Sequence, residues 1–124
     1  MSEMTFQWAD FLIVAKSLHQ SGKTSVLPTD ASFRCAISRA YYAAFCHSRD
    51  FAEINYGFIP TKKPKDHELL RINLAKHGRG TISTKLDQLR QWRNNSDYDN
   101  PSPTLSESNT RDAIDYADKI IQSL

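Results

Sequence analysis

Arg93 stands where an apolar residue is expected. Ile82, Leu86 and Leu89 recur at helical spacing, and the next position of that stripe is this arginine, followed by Asn94, Asn95, Ser96, Asp97 and Tyr98. A cation in line with a core-facing stripe costs stability unless something pairs with it. Such local violations tend to sit at functional sites or at polar contacts that fix a structure. The residue types in the run have chemistry to offer. An arginine can hold a phosphate or stabilise a scissile one. Asn94 supplies hydrogen bonds. Asp97 and Tyr98 are candidate proton-transfer groups, although Tyr98 needs a lowered pKa to act as a base near neutral pH. The competing reading is local: Arg93 and Asp97 are i, i+4 neighbours and make an ion pair at a fraying end if the helix continues.

Other polar groups carry weaker signals. Ser38-Arg39-Ala40-Tyr41-Tyr42-Ala43-Ala44-Phe45 combines small residues, aromatics and an arginine. Core packing with satisfied tyrosine tips accounts for it, and Arg39 could pair with Asp97 or Asp99 across the bundle, fixing register more than adding stability. His67 opens a helix, where it could face solvent, bind a phosphate or donate to a neighbouring helix. None of His19, His47, His67 and His77 forms the i, i+4 pair of a helical metal site. Cys35 and Cys46 fall on one helix about 16 Å apart, beyond disulfide reach, and read as two buried thiols of a cytosolic protein. No metal and no cofactor is expected. Gly22-Lys23-Thr24 invites a phosphate-loop reading, but that motif needs a glycine where the chain has Ser17, and a preceding strand. A polar turn between helices explains it.

Five helical segments must position these residues. Trp8, Phe11, Leu12, Ala15 and Leu18 line the first, with Thr5 as N-cap, and Gly22 and Pro28 bound the loop after it. The second starts after Asp30 as N-cap; Phe33, Ile37, Ala40, Tyr41, Ala44 and Phe45 line one face, and the rest is apolar enough to make it central. Residues 54–65 hold Gly57, Pro60 and Pro64 and read as a loop. Asp66 caps a third helix carrying Leu69, Leu70, Ile72 and Leu74, which Gly78 and Gly80 end. The fourth runs from about Ile82 to Asn95. Pro101 and Pro103 precede a capping box, Thr104-x-x-Glu107, and a last stripe of Ala113, Ile114, Ala117, Ile120, Ile121 and Leu124. The expected architecture is all-α, an antiparallel four-helix bundle with an extra short helix, in one domain over residues 1–124.

Composition sets outer limits. At 124 residues, with 40% hydrophobic and 24% charged residues, the chain can bury a core without disulfides or metal. No apolar run approaches the roughly 20 residues of a membrane span, and Met1-Ser2-Glu3-Met4 lacks the pattern of a signal peptide, so a cytoplasmic protein with no membrane partner is expected. The net charge of +2 is unevenly spread. Residues 1–61 are neutral, residues 62–93 hold nine basic and three acidic residues, and residues 94–124 hold two basic and six acidic ones. The basic third could be a nucleic-acid surface or a solvated helix pair complementing the acidic last helix.

Three stretches together resemble the HEPN (higher eukaryotes and prokaryotes nucleotide-binding) family. They are Ala36 to Phe45 in the second helix, His67 opening the third, and Leu89-Arg90-Gln91-Trp92-Arg93-Asn94-Asn95-Ser96-Asp97-Tyr98-Asp99 closing the fourth. The resemblance spans about Trp8 to Ile121. It implies a four-helix bundle with an extra short helix, usually a homodimer. Many members are metal-independent endoribonucleases, often toxins or antiviral effectors, whose motif is an arginine, four to six residues, then a histidine at the dimer cleft. Arg93 and Asn94 match the start of that motif. At the histidine position this chain has Tyr98, Asp99 or Asn100, and it is closer to the branch ending in arginine, two residues, a small residue, then Asp-Tyr. Tyr98 or His67 could stand in for the missing histidine. The resemblance thus implies a small prokaryotic protein of a defence or toxin–antitoxin system. It would bind RNA through the basic segment, with Arg39, His67 and Arg90 contacting it. The catalytic candidates for cleavage are Arg93, Asn94, Asp97 and Tyr98. The alternatives are a non-catalytic accessory subunit of a larger defence or CRISPR-type complex, or the partner of a nucleotidyltransferase that modifies Tyr98. A cognate antitoxin is a further expected partner of the toxin reading.

Overall fold

The computed structural model describes residues 6–102 and 105–124, all helix, turn and loop, with no strand among them. Five helices follow in order: α1 (Asp10–Lys23), α2 (Thr29–Asn55), α3 (Asp66–Lys76), α4 (Gly80–Tyr98) and α5 (Glu107–Ser123). The all-α expectation therefore holds. Thr5, Pro103 and Thr104, to which a cap, a break and half of a capping box were assigned, lie outside the described residues.

α2 is the central element and packs against all four others. Its sequence explains why. Ala36, Ala40, Ala43, Ala44 and Ala52 are wholly buried, and their small side chains let neighbouring helices come close on several sides. Around them Leu12 and Ala15 of α1, Leu70 and Leu74 of α3, Ile82, Leu86 and Leu89 of α4, and Ala113, Ile114, Ala117 and Ile120 of α5 join one apolar cluster. Cutting a fully buried leucine such as Leu70, Leu74 or Leu89 back to alanine would cost about 2–5 kcal/mol. Two residues of the third stripe do not reach this core: Leu69 and Ile72 are exposed, because α3 is short and turns only its Leu70–Leu74 edge inward.

Several termini differ from the sequence expectation, each for a local reason. α1 begins at Asp10, and Trp8 lies in the turn before it, edge-on to Phe6 and Phe11 at 4.6 and 5.4 Å. α1 also runs through Gly22, which is buried against Ser32 and Phe33 of α2. Gly22 is therefore a close-approach residue inside the helix. α2 begins at Thr29, and Asp30 does not cap it; the Asp30 carboxylate instead pairs with Arg34 at 2.6 Å. Gly78 ends α3 with a φ of +78°, but Gly80 opens α4, which continues to Tyr98. α5 is capped by Ser106, whose Oγ accepts from the Asn109 amide at 2.9 Å. Of the two cysteines Cys46 is buried but Cys35 is exposed, so the expectation of two buried thiols fails for the first.

Asp66 was assigned as the cap of α3. It is the first residue of that helix, and its carboxylate reaches backwards to the preceding loop. It accepts from the Thr61 amide at 3.0 Å, the Thr61 hydroxyl at 2.5 Å and the Lys62 amide at 2.9 Å. These bonds hold Lys62 at a φ of +62°, a left-handed conformation uncommon outside glycine. The other end of the loop is pinned by Phe58, buried in the core, and by the Tyr56 carbonyl, which accepts from Asn73 Nδ2 at 3.1 Å. The segment between α2 and α3 is thus a fixed loop that presents Lys62, Lys63 and Lys65. No described helix is long and apolar enough to cross a membrane.

Candidate functional site

Because α4 continues past Asn95, Arg93 keeps its place on the inward stripe. Only 12% of its side chain is exposed. Two contacts offset the burial of its charge. The guanidinium lies over the rings of Tyr41 and Tyr42, 5.4 and 5.3 Å from their centroids, and Nη1 pairs with Asp97 one turn on at 3.6 Å. The arginine's Nε is buried with no hydrogen-bond partner among the described residues. Thus the local i, i+4 pair of the Arg93-to-Tyr98 run forms, and the cation also faces two tyrosines of the central helix.

Arg93 opens onto a cleft of about 1100 Å³ lined by α2, α3, α4 and the loop before α3. Asn94, Tyr98, Arg90 and His67 line it with Arg93. Tyr98 is 75% exposed there. Two assigned residues lie elsewhere. Asp97 does not line the cleft and acts through its pair with Arg93. Arg39 is exposed over the Phe11 ring, 5.8 Å from its centroid, on the α1 side of α2. The arginine that bridges α2 to the end of α4 is Arg34: its Nη1 donates to the carbonyls of Ser96 at 2.7 Å and Asp99 at 2.8 Å. Arg34 and Arg39 are five residues apart, about 140° around a helix, so only one can face α4.

The cleft also gathers groups that the sequence reading passed over. Arg49, Lys62, Lys63, Lys65 and Arg71 join Arg90 and Arg93, making seven cations against three carboxylates, Glu53, Asp66 and Glu68. Asp87 reaches Arg71 of α3 at 3.7 Å and Arg90 of α4 at 3.1 Å, tying two of these guanidinium groups together. Arg49 is partly neutralised by Asp50 at 3.3 Å. The signal for Arg71 was present in the spacing, because it lies one helical turn after His67 and shares its face. The three lysines were visible only as part of a basic segment; the Asp66 grip on their loop depends on tertiary structure.

His67 is built into the wall. Its ring stacks on Phe45 at 4.2 Å and 18°, and its Nδ1 hydrogen-bonds the hydroxyl of Tyr41. Burial lowers its proton affinity below the usual histidine value, and the nearby Arg93, Arg71 and Arg90 act in the same direction, with Asp66 opposing. Its surroundings therefore favour the neutral imidazole over the imidazolium. Burial also pushes the Tyr41 phenol well above its ordinary range, against the pull of Arg93 and Arg71, so Tyr41 keeps its proton. Chemically, the arrangement offers paired guanidinium groups, exposed ammonium groups and one imidazole around an open cleft. That is a donor-rich surface suited to phosphate oxygens.

The chain matches no family model, no curated protein and no solved structure. Among the described residues, no three His, Cys, Asp or Glu side chains converge as a metal cage would require.

Proposed function

We propose that this chain is a HEPN-like four-helix bundle with a short extra helix, α3, that binds a single RNA strand in the cleft beside Arg93. The observation that carries the reading is the convergence of seven cations and the exposed Tyr98 on one open cleft. Positive grooves with aromatic faces suit single strands, because phosphates meet the cations and unpaired bases stack on the rings. The resemblance of Ala36–Phe45, His67 and Leu89–Asp99 to HEPN domains supports RNA as the strand.

Binding without cleavage is the better-supported activity. Attack by a ribose 2′-hydroxyl is helped by a base, and two of the assigned candidates are engaged: Asp97 with Arg93, outside the cleft, and Nδ1 of His67 with Tyr41, while Tyr98 would need a lowered pKa to serve. The test is a pair of assays on total RNA and tRNA in EDTA, one for cleavage and one for retention on a filter. Retained but intact RNA is expected, with retention weakened at least about tenfold in Arg93→Ala. Discrete cleavage lost in Arg93→Ala would establish a ribonuclease instead, and unchanged retention in that variant would remove Arg93 from the site. The exposure of Tyr98 also makes it the residue that a nucleotidyltransferase partner would modify, which co-expression and intact-mass measurement would reveal as added nucleotide mass.

A further inference from the structure

We propose that Tyr41 is a positioning residue: by donating its hydroxyl hydrogen to Nδ1 of His67, it fixes the imidazole in the tautomer whose Nε2–H faces the cleft as a donor to a phosphate oxygen. The inference rests on the reading of the cleft as a phosphodiester site, and it adds both a residue and a mode of contact to that reading.

Four observations lead to it. First, Tyr41 is 1% exposed, and its hydroxyl has His67 Nδ1 as its hydrogen-bond partner. If Nδ1 carried the hydrogen and donated to Tyr41, the phenol hydrogen would be left buried without an acceptor, a cost that donation to Nδ1 avoids. A neutral imidazole that accepts at Nδ1 must carry its hydrogen on Nε2. Second, the ring cannot easily turn away. Phe45 stacks on one side of it, and the ring planes of Tyr41 and His67 lie within 18° of parallel. Third, His67 lines the cleft, and no partner for its Nε2 is found among the described residues. Fourth, the groups that face the ring are mostly cations, Arg71 from α3 and Arg90 and Arg93 from α4, with Asp66 the opposing charge. They repel an imidazolium and attract an anion, so a neutral N–H donor is the form in which a histidine serves this site. Arg93 spans the two halves of the device, because its guanidinium lies over the Tyr41 ring whose hydroxyl holds His67.

The tautomer is measurable without any ligand. Long-range proton–nitrogen spectra of nitrogen-15-labelled protein at pH 7.5, assigned by loss of the signal in His67→Gln, are expected to show a bare Nδ1 and a protonated Nε2 at His67. In Tyr41→Phe that bias should relax to a mixture. Binding is then read with a 2′-O-methylated oligouridylate, which cannot be cleaved by its own 2′-hydroxyl. Wild-type protein should bind it and shift the Nε2–H signal. Tyr41→Phe and His67→Phe should each bind about fivefold more weakly, the scale of one hydrogen bond. His67→Gln, whose amide nitrogen occupies the place of Nε2–H, should stay within about twofold of wild type. Adding Tyr41→Phe to His67→Phe should cost nothing further, because Tyr41 acts through His67. Thermal unfolding of each variant separates loss of the fold from loss of the contact. An Nδ1–H tautomer in the wild type, or a wild-type affinity in His67→Phe, overturns the proposal and leaves the cleft reading standing. Failure of the wild type to bind the oligonucleotide overturns both.

Discussion

Arg93 is held by two kinds of partner at once, and a substitution must replace both to be silent. The tyrosine faces hold the flat guanidinium, and Asp97 meets its charge. Lysine would keep the charge but lose the planar stack and the fork of donors. Arg93→Lys is therefore expected to bind RNA nearly as poorly as Arg93→Ala, and comparison of the two by fluorescence anisotropy decides the point. The oddity of this residue was legible from the stripe Ile82, Leu86, Leu89 and the ion pair from i, i+4 spacing, but its seat on Tyr41 and Tyr42 needed the crossing of α2 and α4. The same limit explains the Arg39 error. Sequence shows that α2 carries arginines at 34, 39 and 49, and only packing shows which one reaches the end of α4.

Helix identity was readable because apolar residues recur at helical spacing in each element, down to the single buried Leu70–Leu74 pair of α3, whereas element ends were set by contacts between chain-distant residues. Gly22 illustrates this. As a glycine near a polar turn it reads as a helix stop, yet a methyl group there would lie 2.8 Å from Ser32 Cβ and 3.0 Å from the Phe33 ring. Alanine in a helix interior is normally favoured over glycine by about 1 kcal/mol. Here the clash should reverse the sign, and Gly22→Ala is expected to lose about 1–3 kcal/mol in urea unfolding. The loop before α3 makes a second case. With the Asp66 carboxylate removed, the Thr61 and Lys62 amides lose their acceptor and Lys62 its reason to stay left-handed. Amide exchange at these two positions should speed up by about tenfold or more in Asp66→Ala, with the core of α2 unchanged. RNA binding should weaken as the three lysines lose their common anchor.

At the scale of the whole molecule the charges are sorted by the fold more sharply than by the chain. Of the nine basic residues between 62 and 93, six line the cleft, while Lys85 lies over the Tyr116 ring and Arg79 donates to Tyr56 at the opposite end. If three to four of the cleft cations meet phosphates, log–log plots of affinity against salt should have a slope of about −2 to −3 for a single strand. Acid should act on stability in two stages. His47 and His67 take up protons less readily than the usual value of 6.5, chiefly through burial. The unfolded chain then binds more protons than the folded one, so stability falls as pH drops below about 6.5. Asp66 is held below its usual 3.8 by hydrogen bonds from Thr61 and Lys62, and Glu107 below its usual 4.5 chiefly by its hydrogen bond to His19, so a second loss follows in stronger acid. Urea midpoints at pH 7.5, 5.0 and 3.0 measure both stages, and His67→Gln should flatten the first. Finally, the two cysteines give the chain a built-in reporter. Cys35 is open to reagents, whereas Cys46 is enclosed and its thiol is pushed up to about 11, chiefly by burial. Since the thiolate is the reacting species, a maleimide dye at neutral pH should label native protein once and unfolded protein twice. The rate of the second labelling event then times the opening of the helix at the centre of the core.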